Sequence, residues 1–231
     1  VLFHEYHSFQ EVNFRFYMVE AFLKEENKII KISNAYKTLD PSEKGAINYF
    51  NGGIFTSIIA KRIFDTPWIM HLDVYKNNLY DSGGLEITYN TEGIRPDFIG
   101  LNDLHEYNVF ESKGRVSFSN ESLDRAYEQS KNIKTVNSKI PRWRLGSITW
   151  HDNSNFKLKI KDPEKSNDNA IHLKFNEKDF FINYYALVFN YIKNSDFQKV
   201  ERNGIEFITT LPNCHNFVLG LEKGIYDAIN Q

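Results

Sequence analysis

Apolar and polar positions along this chain follow two different periods, and the switches between them mark out its elements. From Glu11 to Lys24 the apolar residues Val12, Phe16, Val19 and Leu23 recur at helical spacing, which predicts an amphipathic helix. The stretch before it, VLFHEYHSFQ, is apolar and histidine-containing without a clear period. The polar run Lys24 to Lys28 ends the helix, and Ile29 to Ile32 fits either a short strand or a helical extension. Asp40-Pro41-Ser42-Glu43 is a strong helix start. It places Asp40 at the N-cap, Pro41 at the first helical position, and Glu43 where its carboxylate can return to the cap. That helix is expected to reach about Phe64, where Asp65-Thr66-Pro67 stops it. Gly52 and Gly53 in its middle weaken a helix, so they point to close approach by a sheet or another backbone.

Strand patterns follow. Trp68 to Tyr75 reads as a strand, Asn77 to Gly84 as a turn-rich loop and Leu85 to Tyr89 as another strand. Glu92 to Arg115, EGIRPDFIGLNDLHEYNVFESKGR, reads as two short strands joined by a polar turn. Ser119 or Asn120 can cap a helix running through about Thr135, with Leu123, Ala126, Tyr127, Ser130 and Ile133 on one stripe. Arg144 to Trp150 is a core strand. Helix, strands, helix and strand in that order predict an α/β layer architecture. Beyond it, Phe156 to Ile160 alternates with Lys157, Lys159 and Lys161 as a half-buried strand, and Asp162 to Asn169 is a polar loop. Ile171 to Phe175 and Ile205 to Leu211 read as strands, Glu177 to Lys193 as an aromatic-rich helix, and Phe217 to Ile229 as a terminal helix. The expected organisation is an N-terminal helical segment (1–39), a core (40–150) and a C-terminal α+β extension packed on that core (151–231).

Composition narrows the function classes. The 231 residues are 41% hydrophobic and 25% charged, an ordinary globular balance with enough residues for one sizeable core. A formal net charge of -2 does not advertise a nucleic-acid binder, although binding needs only a local basic face. The single cysteine, Cys214, rules out an intramolecular disulfide and a cysteine-based zinc site, which fits a reducing, cytoplasmic setting. No apolar run is long enough to span a membrane and no signal pattern opens the chain. It begins at Val1 without methionine, as either a trimmed chain or a fragment of a longer protein would. The seven histidines are scattered, with no HxxxH or HExxH spacing, which argues against a zinc hydrolase. Walker-type and dinucleotide glycine loops and the GxSxG elbow are also missing.

The chemistry concentrates in Glu92 to Arg115. Side chains alternate along a strand, so Glu111 and Lys113 point one way and Ser112 the other. If the two strands are neighbours, Asp97 meets that pair, and two carboxylates and an ammonium converge at the end of an apolar hairpin. Such a trio is costly to bury, and a hard divalent cation is the usual compensation. The competing reading is a surface hairpin with a cross-strand ion pair.

Arg95-Pro96-Asp97 followed by Glu111-Ser112-Lys113 resembles the signature of the PD-(D/E)xK nuclease superfamily, and the flanking order of elements from Asp40 to Trp150 resembles it too. The resemblance implies a restriction-endonuclease-like core, with a central mixed β-sheet flanked by helices. It implies an Mg²⁺-dependent endodeoxyribonuclease in which Asp97 and Glu111 hold Mg²⁺ or Mn²⁺ and Lys113 assists the attacking water. Glu43 is a candidate third carboxylate, against its role in the capping box. Gln129 is a candidate site residue on the following helix, and Arg95 and Arg115 are candidate phosphate clamps. Lys131, Lys134, Lys139, Arg142 and Arg144 form a basic run, with Trp143 among them, that could track a DNA backbone or simply be solvated. DNA is the expected partner, a homodimer would supply two cuts to a duplex, and no membrane is involved. The alternative function is a nuclease-like module without catalysis that binds nucleic acid or a partner protein.

Overall fold

A computed structural model describes residues 5–73, 86–88, 95–163, 165–211 and 218–231. Its largest feature is a seven-stranded mixed sheet. In chain order, the elements leading to it are α1 (Glu5–Phe22), β1 (Leu23–Glu26), β2 (Ile29–Ile32), α2 (Asn34–Thr38), α3 (Pro41–Ile63), β3 (Trp68–His71) and β4 (Glu86–Thr88). Then come β5 (Phe98–Leu101), β6 (Tyr107–Gly114), α4 (Asn120–Ser130), β7 (Ile133–Val136), β8 (Trp143–Asp152) and β9 (Asn155–Lys161). The sheet order is β1-β2-β9-β8-β6-β5-β3. Only β6 and β8 run parallel; the other adjacent pairs are antiparallel. A parallel pair needs a crossover, and α4 supplies it.

Local chemistry explains why the flanking helices start where they do. Asp40 Oδ1 accepts from Ser42 N–H (2.6 Å) and Glu43 N–H (3.1 Å), and Glu43 Oε2 accepts from Asp40 N–H (2.9 Å), a complete capping box on α3. Ser119 caps α4 by accepting from Ser122 N–H at 3.1 Å. The two helices lie on opposite faces of the sheet. On β8, a Cβ at Gly146 would lie 2.5 Å from Tyr127 N on α4. The next residue, Ser147, hydrogen-bonds Thr56 on α3 at 2.9 Å, as adjacent strand residues must when both faces are covered.

The contact between α3 and the sheet is backbone against backbone. A Cβ on Gly114 would fall 1.7 Å from Asn48 O, and one on Gly52 would fall 2.9 Å from Gly114 N. The helical glycine therefore serves close approach, as its cost suggested. Gly53 is looser, with Phe98 Cζ at 3.4 Å from its missing Cβ.

The remaining chain forms β10 (Ile171–Lys174), α5 (Glu177–Lys193), β11 (Phe197–Arg202), β12 (Ile205–Thr210), β13 (Gly220–Glu222) and α6 (Lys223–Ile229). β4, β10 and β7 make one three-stranded sheet, and β11, β12 and β13 another. A core of Leu72, Ile99, Leu101, Tyr107, Val109, Ile133, Ile171, Leu173 and Phe180 joins the large sheet to the first of these and to α5. Phe189, Ile192, Ile208 and Leu221 form a separate cluster under the second.

Several expectations change. The first helix begins at Glu5, earlier than the periodic stretch suggested, and Leu23–Glu26 and Ile29–Ile32 form a hairpin after it. The helix after the site ends at Ser130 rather than Thr135, because the β-branched Ile133, Thr135 and Val136 pair parallel to β10 as β7. Residues Gly220–Glu222, expected as helix, pair with β12, and Phe197–Arg202 is an unforeseen strand. The strand expected over Trp68 to Tyr75 ends at His71, with Leu72 and Asp73 helical, while Val74, Tyr75, Asn77 to Gly84, Leu85, Tyr89 and Phe217 lie outside the described residues. The large sheet also crosses both expected segment boundaries, taking β1 and β2 from 1–39 and β9 from 151–231.

The glycines give a paired test of this packing. Gly114→Ala should lower stability by about 3 kcal/mol or more, because the clash is with fixed helix backbone. Gly45→Ala, in the same helix with nothing within 4 Å of its missing Cβ, should raise stability by roughly 0.5–1 kcal/mol. Urea unfolding of the two variants beside the parent checks both signs.

Candidate active site

The β5–β6 ladder runs from the Leu101–Tyr107 pair to the Phe98–Phe110 pair. One step further, Asp97 stands opposite Glu111, and side chains take over from the ladder. Asp97 N–H donates to Glu111 Oε2 (2.9 Å), and Ser112 N–H donates to Asp97 Oδ2 (3.0 Å). Each carboxylate thus satisfies an amide of the other strand. Lys113, two residues along the same strand face, donates from Nζ to Glu111 Oε1. The main chain beneath is held as firmly: Glu111 O accepts from Ser147 Oγ (3.0 Å), and Leu72 N–H donates to Asp97 O (2.8 Å).

Charge is the unusual quantity here. The Glu111 side chain is fully buried, whereas Lys113 keeps 19% exposure. Burial pushes the Glu111 carboxyl up to about 7; the Asp97 charge adds to this, and the Lys113 ammonium opposes it. Burial raises Asp97 as well, opposed by the Ser112 N–H and by Lys113. Two carboxylates share one ammonium, so one negative charge is uncompensated when both ionise.

That donor set fits a hard divalent cation. Among the described residues no hydrogen bond reaches Asp97 Oδ1, and each Glu111 oxygen accepts one bond where it can accept two. The described residues contain no cluster of three or more His, Cys, Asp or Glu able to hold a metal. A cation here would take one oxygen from each of two carboxylates and fill its shell with waters and substrate oxygens, as Mg²⁺ commonly does.

The other candidates separate sharply. Glu43 is engaged in the capping box, nine residues from Gly52 and so roughly 13 Å further along α3. It is not gathered with Asp97 and Glu111. Gln129 and Arg115 line one groove with Lys113 on the α4 side, together with Glu121, Asp124 and Arg125. Arg115 donates to Ser122 Oγ (3.2 Å) and Gly114 O (3.0 Å). Arg95 pairs with Asp73 at 2.7 Å.

The basic run does not converge on the site. Arg144 is buried and donates to Ile133 O (2.9 Å) and Lys134 O (3.1 Å), so it fastens β8 to β7 and cannot meet a DNA strand. Arg142 pairs with Glu106 at 2.6 Å, and Lys139 donates to His105 O at 3.1 Å. Both lie by the start of β6, the end opposite Glu111. Lys131 pairs with Glu128 at 3.0 Å. Lys134 is exposed on β7. Trp143 packs edge-on against Phe64 with ring centroids 5.6 Å apart, a core position rather than a stacking platform.

Three residues near the hairpin end carried little or no signal in the sequence. Ser112 Oγ is buried without a hydrogen-bond partner among the described residues and faces α3. His71 Nδ1 is likewise buried and unpartnered among the described residues. Tyr49 is largely exposed on α3, and the partial cover over its phenol, together with the Asp97 charge, raises it above the ordinary value. Strand alternation signals the direction of Ser112; a lone histidine in WIMH and a lone tyrosine in a helix signal nothing.

The carboxyl shifts set a pH dependence for the metal-free protein. Below the ordinary value of 4.5, Glu111 is protonated in both folded and unfolded chains and adds no slope. From there to about 7 the unfolded chain releases the proton while the fold retains it, so stability falls as pH rises and levels off above that value. Asp97 acts in the same direction. Unfolding free energies in chelator should fall by about 2–3 kcal/mol across this window, and Glu111→Gln should remove most of the slope. A flat profile for the parent protein would contradict the buried, repelled carboxyl.

No family model matches the chain, and no curated protein or solved structure matches it; the chemistry of the site stands on its own residues.

Proposed function

We propose that this protein is a metal-dependent nuclease that hydrolyses phosphodiester bonds in DNA. The observation that carries the reading is the convergence of Asp97, Glu111 and Lys113 where the β5–β6 ladder ends, with one negative charge left over. The surrounding order supports it: α3, then β3, β5 and β6 as antiparallel neighbours, then α4 crossing to the parallel β8. That is the order the resemblance to the PD-(D/E)xK nucleases implies for a restriction-endonuclease-like core.

In this reading Asp97 and Glu111 hold Mg²⁺ or Mn²⁺. When bound, the cation supplies Lewis acidity at the scissile phosphate and lowers the pKa of a nearby water. The chain's own residues do the rest. Lys113, anchored on Glu111 yet partly exposed, orients the attacking water and offsets the negative charge that grows on the phosphate oxygens. The hydrogen bonds from Asp97 N–H and Ser112 N–H hold both carboxylates in place, so little reorganisation is needed as charge develops. In the same reading Arg115 and Gln129, which line the groove beside Lys113, contact the flanking phosphates.

With Mg²⁺ or Mn²⁺ the purified protein should cut DNA, and chelator should stop it. Asp97→Ala, Glu111→Ala and Lys113→Ala should each slow cleavage by about a thousand-fold. Glu43→Gln should leave the rate within about two-fold while lowering stability by up to ~1 kcal/mol, because the residue caps a helix. Robust cutting by the Asp97→Ala protein would remove the assignment.

A further inference from the structure

A second feature opens on the other side of the same hairpin end. Glu111 and Lys113 face α4, since Glu111 pairs in register with Gly146, whose surface α4 covers. Ser112 faces α3. Between α3 and the ends of β3 and β5 lies a cavity of about 360 Å³ that reaches Asp97. Its size lies within the roughly 300–1,000 Å³ of typical small-ligand sites.

The lining combines flat apolar surface with two side chains whose buried polar atoms lack partners among the described residues. Tyr49, Phe50 and Phe98 contribute aromatic walls, and the Arg15 guanidinium lies 5.4 Å from the Phe50 ring centroid. Tyr49 is 55% exposed, while Ser112 is 7% exposed with its Oγ buried and unsatisfied. His71 also lines the cavity, its Nδ1 buried and unsatisfied and its ring edge-on to Phe98. Buried hydroxyl and imidazole groups normally find partners, so these two side chains have hydrogen-bonding capacity left for a polar group in the cavity, a water or the edge of a ligand.

We propose that this cavity receives one unstacked nucleobase of a single nucleic-acid strand whose phosphate lies at Asp97. A base offers two π faces for Tyr49, Phe50 and Phe98, and edge donors and acceptors for the Ser112 hydroxyl and the His71 imidazole once these side chains turn toward it. A base still paired in a duplex cannot enter a recess between a helix and a sheet, so the strand must be single or locally opened. The glycine at 53 matters for the same reason, because a larger residue there would project among the cavity walls. The inference rests on the nuclease reading for the position of the phosphate, and it narrows the substrate to single-stranded or opened DNA.

Photocrosslinking tests it without any catalysis. A single-stranded oligonucleotide containing 5-iododeoxyuridine, irradiated with the protein in chelator, should crosslink to Tyr49, Phe50 or Phe98, identified by mass spectrometry of the peptides. Gly53→Phe should abolish that crosslink. Tyr49→Ala, at an exposed position where folding is not at stake, should weaken single-strand binding about ten-fold and leave duplex binding unchanged. Crosslinks confined to other surfaces such as Tyr127, no crosslink at all, or unchanged single-strand affinity in Tyr49→Ala would each overturn the proposal. A parent protein that crosslinks at the cavity but cuts no DNA with Mg²⁺ or Mn²⁺ would retain the base site and remove the nuclease reading. Cutting that depends on Asp97, without the cavity crosslink, would do the reverse.

Discussion

The direct contact of helix backbone on strand backbone, Asn48 O against Gly114, fixes the geometry of everything near the site. No side chain larger than hydrogen fits there, so α3 sits at a single height over the end of β6. That height carries Thr56 to Ser147, and Ser147 to the carbonyl of Glu111, in one chain of hydrogen bonds from helix through β8 to β6. The same contact brings Tyr49, Phe50 and Gly53 over Ser112 and Asp97, creating the cavity. A site built this way rests on rigid elements, where positions hold to fractions of an ångström better than on loops.

At the open end of β5 and β6, fold and chemistry meet the same requirement. The ladder stops while amides remain to be satisfied, and buried N–H groups need acceptors. Glu111 and Asp97 provide them, each bonding across to the other strand. A neutral acceptor would close the ladder at lower electrostatic cost. Carboxylates satisfy the amides but crowd two negative charges around one lysine, and burial raises both pKa values. Strain of this kind persists where a ligand relieves it, and a divalent cation would do so here.

Much of this geometry was legible in the sequence, and what was hidden has physical reasons. Asp-Pro-Ser-Glu announced α3 because capping is a local interaction among four residues. Period-two alternation separated Glu111 and Lys113 from Ser112 because a strand leaves no other choice. By contrast, β7, β11 and β13 are short strands that depend on pairing with distant partners, and propensity alone does not reveal a partner. The basic run misled for a related reason. Proximity in sequence placed Arg142 and Arg144 together, but Arg142 lies just before β8 begins and forms an exposed ion pair with Glu106, while Arg144 sits within β8 and donates to buried carbonyls. His71 and Tyr49 come from β3 and α3, and nothing local to either marks it as a neighbour of Asp97.

The alternation that organises β6 also explains how one strand can serve two tasks. Residues 111 and 113 deliver charge to the α4 side, and residue 112 delivers a hydroxyl to the α3 side. Asp97 stands at the end of the adjacent strand, where it touches both. A linear polymer has a related asymmetry: the phosphate carries charge, and the base carries a flat surface with polar edges. A strand end with a charged face and an aromatic, hydrogen-bonding face matches those two parts separately, with Asp97 at the junction. Neither face needs the long basic track that a duplex footprint would use, which agrees with a net charge of -2. On the proposed reading, recognition is short contact at one nucleotide rather than extended electrostatic tracking.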